Sequence, residues 1–282
     1  MTVDRKYLLN SKQMAEFAAR GLLTFEQLVP AELNAAFCDE MEDGGLPIDG
    51  RDGGLYATAG TPLYDLWTDS PGFGKIIRMP QVRGIIQSLV GPNPDYDHHF
   101  VHKVGPKHHD AQIWHADAII DTRREAFDVQ LFYFAHDTPR EMGGTMFLPG
   151  SQFRYISESD IARYQNFRDQ LPVVCKAGTL LVGHMNLWHC AQPNHTDEMR
   201  YMCKLRLNPT VRQVRLWNTD DLDDPEVIRN LKSPVGWHGN ESRIEMVNRV
   251  RFWRYLTDDA RFDSDFWLTR IENEPQDVAA SR

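Results

Sequence analysis

The chain has 282 residues, 41% of them hydrophobic and 25% charged, long enough to close a substantial core and close to globular averages on both counts. A formal charge of −9 and a pI near 5.6 argue against a nucleic-acid backbone as the main partner, because that role needs clustered Lys and Arg. The short basic runs, Arg123-Arg124 and Arg243 to Arg254, are each offset by neighbouring acids.

No run of about 18 apolar residues marks a membrane span, and the opening MTVDRKYLLNSKQ has no apolar core of signal-peptide length. Cys38, Cys175, Cys190 and Cys203 show neither CxxC spacing nor the density of a disulfide scaffold. A cytoplasmic protein with reduced thiols is expected, with no nucleic acid and no membrane as partner.

Ser11, followed by Met14, Phe17, Ala18 and Leu22 at helical spacing, predicts an N-capped amphipathic helix ending near Gly21. A second helix is expected after Pro30, with Leu33, Phe37 and Met41 on one face, until the glycine-rich stretch 44–54 breaks it. From about Asp97 to Asn208 the texture changes to short runs alternating with period two. Asp128 to Phe134, Gly144 to Leu148, Gly178 to Val182 and Tyr201 to Leu207 are the clearest, punctuated by the turn signals of 137–144 and Pro149-Gly-Ser151. Several short strands at this spacing read as a sandwich or barrel. After Pro209 the pattern is helical again. Ser242 is expected to cap a helix carrying Ile244, Val247, Val250 and Arg254, with Phe262, Phe266 and Trp267 beyond it and a frayed end. The expected organisation is one domain: a mainly helical part over 1–96, a β core over 97–210 and a helical extension over 211–282.

The chemistry is concentrated in the β core. In Trp114-His115-Ala116-Asp117 an imidazole and a carboxylate stand two residues apart, a spacing that on a strand points both to one face. His189, after the apolar strand at 179–182, offers a third ligand. Two histidines and a carboxylate on a β scaffold form the facial triad of iron(II) oxygenases, which leaves adjacent coordination positions open for a bidentate 2-oxo acid and O₂. A catalytic zinc accepts the same donors, so a zinc hydrolase is one alternative and a non-catalytic binding module another. Arg200 opens the strand that follows His189. A guanidinium there can grip the distal carboxylate of 2-oxoglutarate through two parallel hydrogen bonds, a group for which a hydrolase has no need.

Three segments resemble the phytanoyl-CoA dioxygenase family of Fe(II)/2-oxoglutarate-dependent oxygenases. They are His115-Ala-Asp117, Gly143-Gly-Thr-Met-Phe-Leu-Pro-Gly-Ser151, and Lys176 to His189 continued by Asn194 and Arg200. The opening 9–21 is also similar to the family's N-terminal helix, so the likeness runs from about 9 to 210. It implies a double-stranded β-helix core (jelly-roll, cupin-like) with flanking helices, and Fe(II), 2-oxoglutarate and O₂ as cofactor and co-substrates. It also implies oxidation of a C–H bond of a small organic substrate with release of succinate and CO₂.

By the same resemblance His115, Asp117 and His189 bind the metal, Arg200 binds 2-oxoglutarate, and Lys103 falls where members often carry a lysine before a Pro-containing turn, a candidate to reach the co-substrate or substrate. Gln130 shares a strand face with Phe132 and is a candidate to line the pocket beside the co-substrate. Gln152 stands where members commonly have a histidine, and the compact segment between the metal-binding strands gives no support for a fatty-acyl-CoA substrate. Asp117, rather than Gly or Ala, disfavours a halogenase. His98, His99, His102, His108, His109 and His184 are left out of the ligand set, with a supporting role kept open for His184. For Trp237, Phe252, Trp253, Phe266 and Trp267 a lid, an oligomer contact and core packing all remain open.

Overall fold

The computed structural model describes residues 3–42, 57–117, 126–154, 157–164, 166–236 and 238–270. The glycine-rich stretch, Arg123-Arg124, Trp237, the side chains of Phe266 and Trp267, and the C-terminal end fall outside that description.

The first helix, α1 (Ser11–Arg20), is capped one residue earlier than expected. Asn10 is the N-cap, and its side chain and that of Gln13 bond each other's backbone N–H in a capping box. The Ser11 hydroxyl is instead buried, accepting from the Trp217 indole at 3.0 Å. Gly21 closes the helix at φ 70°, where a Cβ would lie 2.5 Å from Gln152 Oε1. Gln152 Nε2 donates to Ala18 O at 3.1 Å, so the residue that departs from the family pattern seals the end of α1.

A strand absent from the sequence reading, β1 (Leu22–Phe25), follows directly. Next come α2 (Ala31–Glu42), β2 (Thr61–Pro62), α3 (Phe73–Arg78) and α4 (Pro80–Val90). The core strands are β3 (Asp95–Val104), β4 (Val129–Phe134), β5 (Met146–Phe147), β6 (Leu171–Pro172), β7 (Thr179–His184), β8 (His189–Cys190) and β9 (Arg200–Asn208), with a short α5 (Glu158–Ile161) before β6. The chain then forms α6 (Pro225–Leu231), α7 (Asn240–Thr257) and α8 (Phe266–Thr269). Gly239, not Ser242, precedes α7, which places Ser242 inside the first turn.

Two antiparallel sheets face each other. The larger has strand order β1-β7-β4-β9-β3-β2 and the smaller β6-β5-β8. Alternation along the larger sheet sends Val101, Leu131, Tyr133, Leu180, Val182, Cys203 and Leu205 to an outer face covered by residues of α1 to α4 and α7. It sends Phe132, Phe134, Leu181 and Met202 inward against Phe147, Val173 and Leu187. The Phe132 and Phe147 rings meet edge to face at 4.9 Å, and each fully buried ring contributes about 1.5–3 kcal/mol relative to exposure. This is the jelly-roll arrangement of a double-stranded β-helix core. No described helix is long and apolar enough to cross a membrane.

Candidate metal centre

The two histidines are brought together by backbone pairing. His189, in β8, is opposite Phe147 of β5 on one side. On the other it forms a two-way bridge with His115, His115 N donating to His189 O at 3.1 Å and His189 N to His115 O at 2.9 Å. Here the structure differs from the expectation of a ligand-bearing strand: His115 makes a single bridge and Asp117 lies in a bend. The pairing of His115 with His189, not strand alternation, gathers the ligands. Their rings lie 4.5 Å apart at 52°.

Each ring is held in one tautomer. His115 Nδ1 donates to Ile113 O at 2.8 Å and His189 Nδ1 to Leu187 O at 2.9 Å, leaving each Nε2 as a lone-pair donor turned toward Asp117. His115 Nε2 is 3.6 Å from Asp117 Oδ1, and His189 Nε2 is 3.4 Å from Oδ2. Among the described residues this is the one group of three whose ligand atoms all lie within 4.8 Å. Ligands about 2.1 Å from a common ion at right angles would stand about 3 Å apart, so the donor set fits a divalent metal bound on one face. Burial lowers the His115 pKa, which favours the neutral, ligating form.

Asp117 is itself clamped. Gln130 Nε2 and Lys204 Nζ both donate to its Oδ2, each at 2.5 Å. Burial alone would raise this carboxyl, but His189, where its Nε2 is protonated in the absence of metal, and the charge of Lys204 outweigh it and hold the group below the usual carboxylate range. Gln130, proposed from sequence as a pocket residue, thus meets a ligand of the triad.

Arg200 opens β9 and is 3% exposed. Its Nη1 donates to Met142 O at 2.9 Å and Gln192 O at 3.1 Å, which fixes the guanidinium plane and leaves the Nε and Nη2 edge available. Burial pushes its pKa down to about 10, so it stays cationic. Arg200, His115, Asp117 and Lys204 all border one cavity of about 610 Å³. Asn194, fully buried, donates to Val104 O, Gly105 O and Glu198 O and pins the loop that leads into Arg200. Gly143, beside Met142, has φ 66°, and a Cβ there would meet Pro193 O at 1.8 Å.

Lys103 is not brought to the triad. It pairs across the sheet with Tyr201 on the outer face, is exposed, and its ammonium lies 5.4 Å over the Tyr201 ring. Although it borders the cavity rim, its neighbour His102 is the residue on the site face. His184 is buried in a cage of Phe17, Phe127, Phe153 and Phe252. His108 sits at the cavity border, bridged to Asn194.

Two residues absent from the sequence reading, Lys204 and Arg206 (paired with Asp128 at 2.6 Å), stand on the site face, together with His102, which was left out of the ligand set. Burial, reinforced by the charges of Lys204 and Arg200, pushes the His102 pKa down to about 4. The available signal was the period of two from Arg200, which puts 202, 204 and 206 on its face.

The fold has solved counterparts. EctD from S. alaskensis, in a structure with 2-oxoglutarate and 5-hydroxyectoine, is 15% identical with a TM-score of 0.57, over 74% of this chain and 80% of that one. SnoK, a non-heme alpha ketoglutarate dependent carbocyclase from nogalamycin biosynthesis, is 15% identical with a TM-score of 0.54, over 85% and 97%. HygX from Streptomyces hygroscopicus, with nickel and 2-oxoglutarate bound, is 14% identical with a TM-score of 0.54, over 82% and 96%. No curated protein matches by sequence. The sequence pattern of the phytanoyl-CoA dioxygenase (PhyH) family matches residues 17–202. Matched over about two thirds of its length, the chain belongs to the phytanoyl-CoA dioxygenase family and is an Fe(II)/2-oxoglutarate-dependent oxygenase of a small organic substrate.

Proposed function

We propose that His115, Asp117 and His189 hold the iron(II) of this oxygenase and that Arg200 fixes the distal carboxylate of 2-oxoglutarate. The observation that carries the reading is the shared cavity: His115 and the clamped Asp117, whose ligand atoms lie with that of His189 within 4.8 Å of one another, border the same space as a buried guanidinium whose Nε and Nη2 edge makes no hydrogen bond to the described residues. When bound, iron(II), 2-oxoglutarate and O₂ supply an oxidation of a substrate C–H bond, with succinate and CO₂ as co-products. The residues do the rest. The carbonyls of Ile113 and Leu187 keep Nε2 of each histidine bare, and Gln130 and Lys204 occupy one oxygen of Asp117 so that the other is left for the metal. Met142 and Gln192 hold the Arg200 fork in one plane, which suits a bidentate carboxylate.

Lys103 has no part in this reading. A single domain does, resting on a hydrophobic cluster that runs from Leu9 through the larger sheet to Leu256. So does a reducing, cytoplasmic setting, resting on four unpaired cysteines.

The test is anaerobic titration of the metal-free protein with iron(II) and 2-oxoglutarate, following the weak visible charge-transfer band of the chelate. A band that is lost in His115→Ala and Asp117→Ala and weakened in Arg200→Ala supports the assignment. Tight zinc binding with no iron chelate band would remove it.

A further inference from the structure

Lys204 is the unexplained cation of the site. It is 7% exposed, projects from β9 on the same face as Arg200, and lies opposite Phe100 of β3, with its ammonium 5.7 Å over that ring. An ammonium has three donors. One is used on Asp117 Oδ2, and Lys204 makes no other hydrogen bond to the described residues. The cavity it borders is also lined by Phe100, His102 and Gln112.

The buried charges can be paired off, resting on the reading above. The two positive charges of the metal are matched by Asp117 and by the 2-oxo carboxylate of the co-substrate. Arg200 is matched by the distal carboxylate. Arg206 is already matched by Asp128, and His102 is neutral. Lys204 then has no counter-charge of its own, since the one carboxylate it touches is committed to the metal. The other charged residues at the cavity, Asp110 and Lys103, are exposed and opposite in sign, so water screens both. A buried cation without a partner is costly. A single anionic group arriving with the substrate would remove that cost and take up the two open donors.

We propose that Lys204 is the substrate-recognition cation and that the substrate of this oxygenase is a small organic acid whose one carboxylate is held there, beside the metal ligand Asp117. A surplus of one charge favours a carboxylate over a phosphate dianion. The carboxylate docks against the ammonium while Phe100 and His102 of the facing strand line the space beside it, so the C–H bond presented to the metal lies near the acid group.

The experiment uses the anaerobic protein saturated with iron(II) and 2-oxoglutarate. The probes are propionate, hexanoate, benzoate and N-acetylglycine, each against its own primary amide at matched ionic strength. Perturbation of the chelate band and the shift in unfolding temperature are both read. In the wild type at least one acid is expected to bind tenfold or more tightly than its amide. Lys204→Met, read at iron(II) and 2-oxoglutarate concentrations raised until its own chelate band saturates, abolishes the preference, and Lys204→Arg retains it. Gln130→Leu, which removes the other donor on Asp117, also retains it, and this separates substrate binding by Lys204 from mere support of Asp117. A chelate band with no acid preference anywhere in the panel, or a preference that survives Lys204→Met, overturns the proposal alone. A wild-type protein that forms no chelate band overturns the metal-site reading beneath it.

Discussion

Arg200→Ala separates the co-substrate anchor from the metal centre. The open Nε and Nη2 edge offers two charge-assisted hydrogen bonds to a carboxylate, each worth about 1.5–3 kcal/mol. Their loss from a site where Arg200 is 3% exposed amounts to about 3 kcal/mol at the lower end, because water entering the vacated space solvates the carboxylate in part. At 1.4 kcal/mol per decade, 2-oxoglutarate affinity should fall about 100-fold. Arg200→Lys keeps the charge but not the fork, and its loss should be about tenfold. Iron(II) affinity without 2-oxoglutarate should stay within about twofold of wild type, since Arg200 bonds Met142 O and Gln192 O and none of the three ligands. The assay is the anaerobic titration of the chelate band at saturating iron, with circular dichroism to show that each variant is folded. Unchanged 2-oxoglutarate affinity in folded Arg200→Ala would refute the reasoning, as would a parallel loss of iron affinity.

Alanine at His115, Asp117 or His189 should lower iron(II) affinity by more than the ten- to hundredfold typical of residues that only support a ligand, measured by equilibrium dialysis. Gln130→Leu removes one of two donors on Asp117 and should cost about tenfold in the same measurement; no change would show that Lys204 alone holds the carboxylate. Gly143→Ala meets Pro193 O at 1.8 Å at a φ of 66°. It should destabilise the fold by about 2–4 kcal/mol in urea and weaken 2-oxoglutarate through the Met142 carbonyl that cradles Arg200. For His184, burial pushes the pKa down to about 3. The unfolded chain therefore takes up the proton first, and the stability present above about pH 6.5 is lost as pH falls, by about 1.4 kcal/mol per unit. His184→Phe should narrow the gap in stability to wild type by about 2 kcal/mol between pH 7 and pH 5; a constant gap would mean that His184 protonates as readily in the folded state.

The candidate ligand set was legible because it depends on residue types at short spacing. His115-x-Asp117, a distant His189 and Arg200 at the head of an alternating strand all stand out in a single sequence. The β core was legible for the same reason, since period-two alternation in β4, β7 and β9 reflects one face under the helices and the other on the second sheet. Capping was legible only in part. Ser11 and Asn10 are both good caps by type, and the choice was made by Trp217, two hundred residues away, which claims the Ser11 hydroxyl. Lys103 shows what neither spacing nor resemblance reveals. The resemblance placed a lysine in the right segment, but the register of β3 against β9 turns it toward Tyr201 and turns His102 to the site. A shift of one residue reverses the face, and the register follows from the pairing of Val104 with Arg200, which no local pattern reveals.

The same register argument explains why Lys204 escaped notice and why Gln130 was read only as a pocket-lining residue, although both are central to the electrostatics. Each is an ordinary residue of an apolar strand in one dimension. In three dimensions they come from adjacent strands, β9 and β4, and converge on one oxygen of a carboxylate supplied by a loop. The proposed metal ligands hang from the edge of the smaller sheet and the charged partners from the inner face of the larger one. The distance between them is therefore set by the apolar layer in which Phe132 packs against Phe147 and both rings lie within 6 Å of the His189 ring. The site's geometry is a property of core packing as much as of the ligands, because close-packed interiors transmit small volume changes as displacement rather than absorbing them.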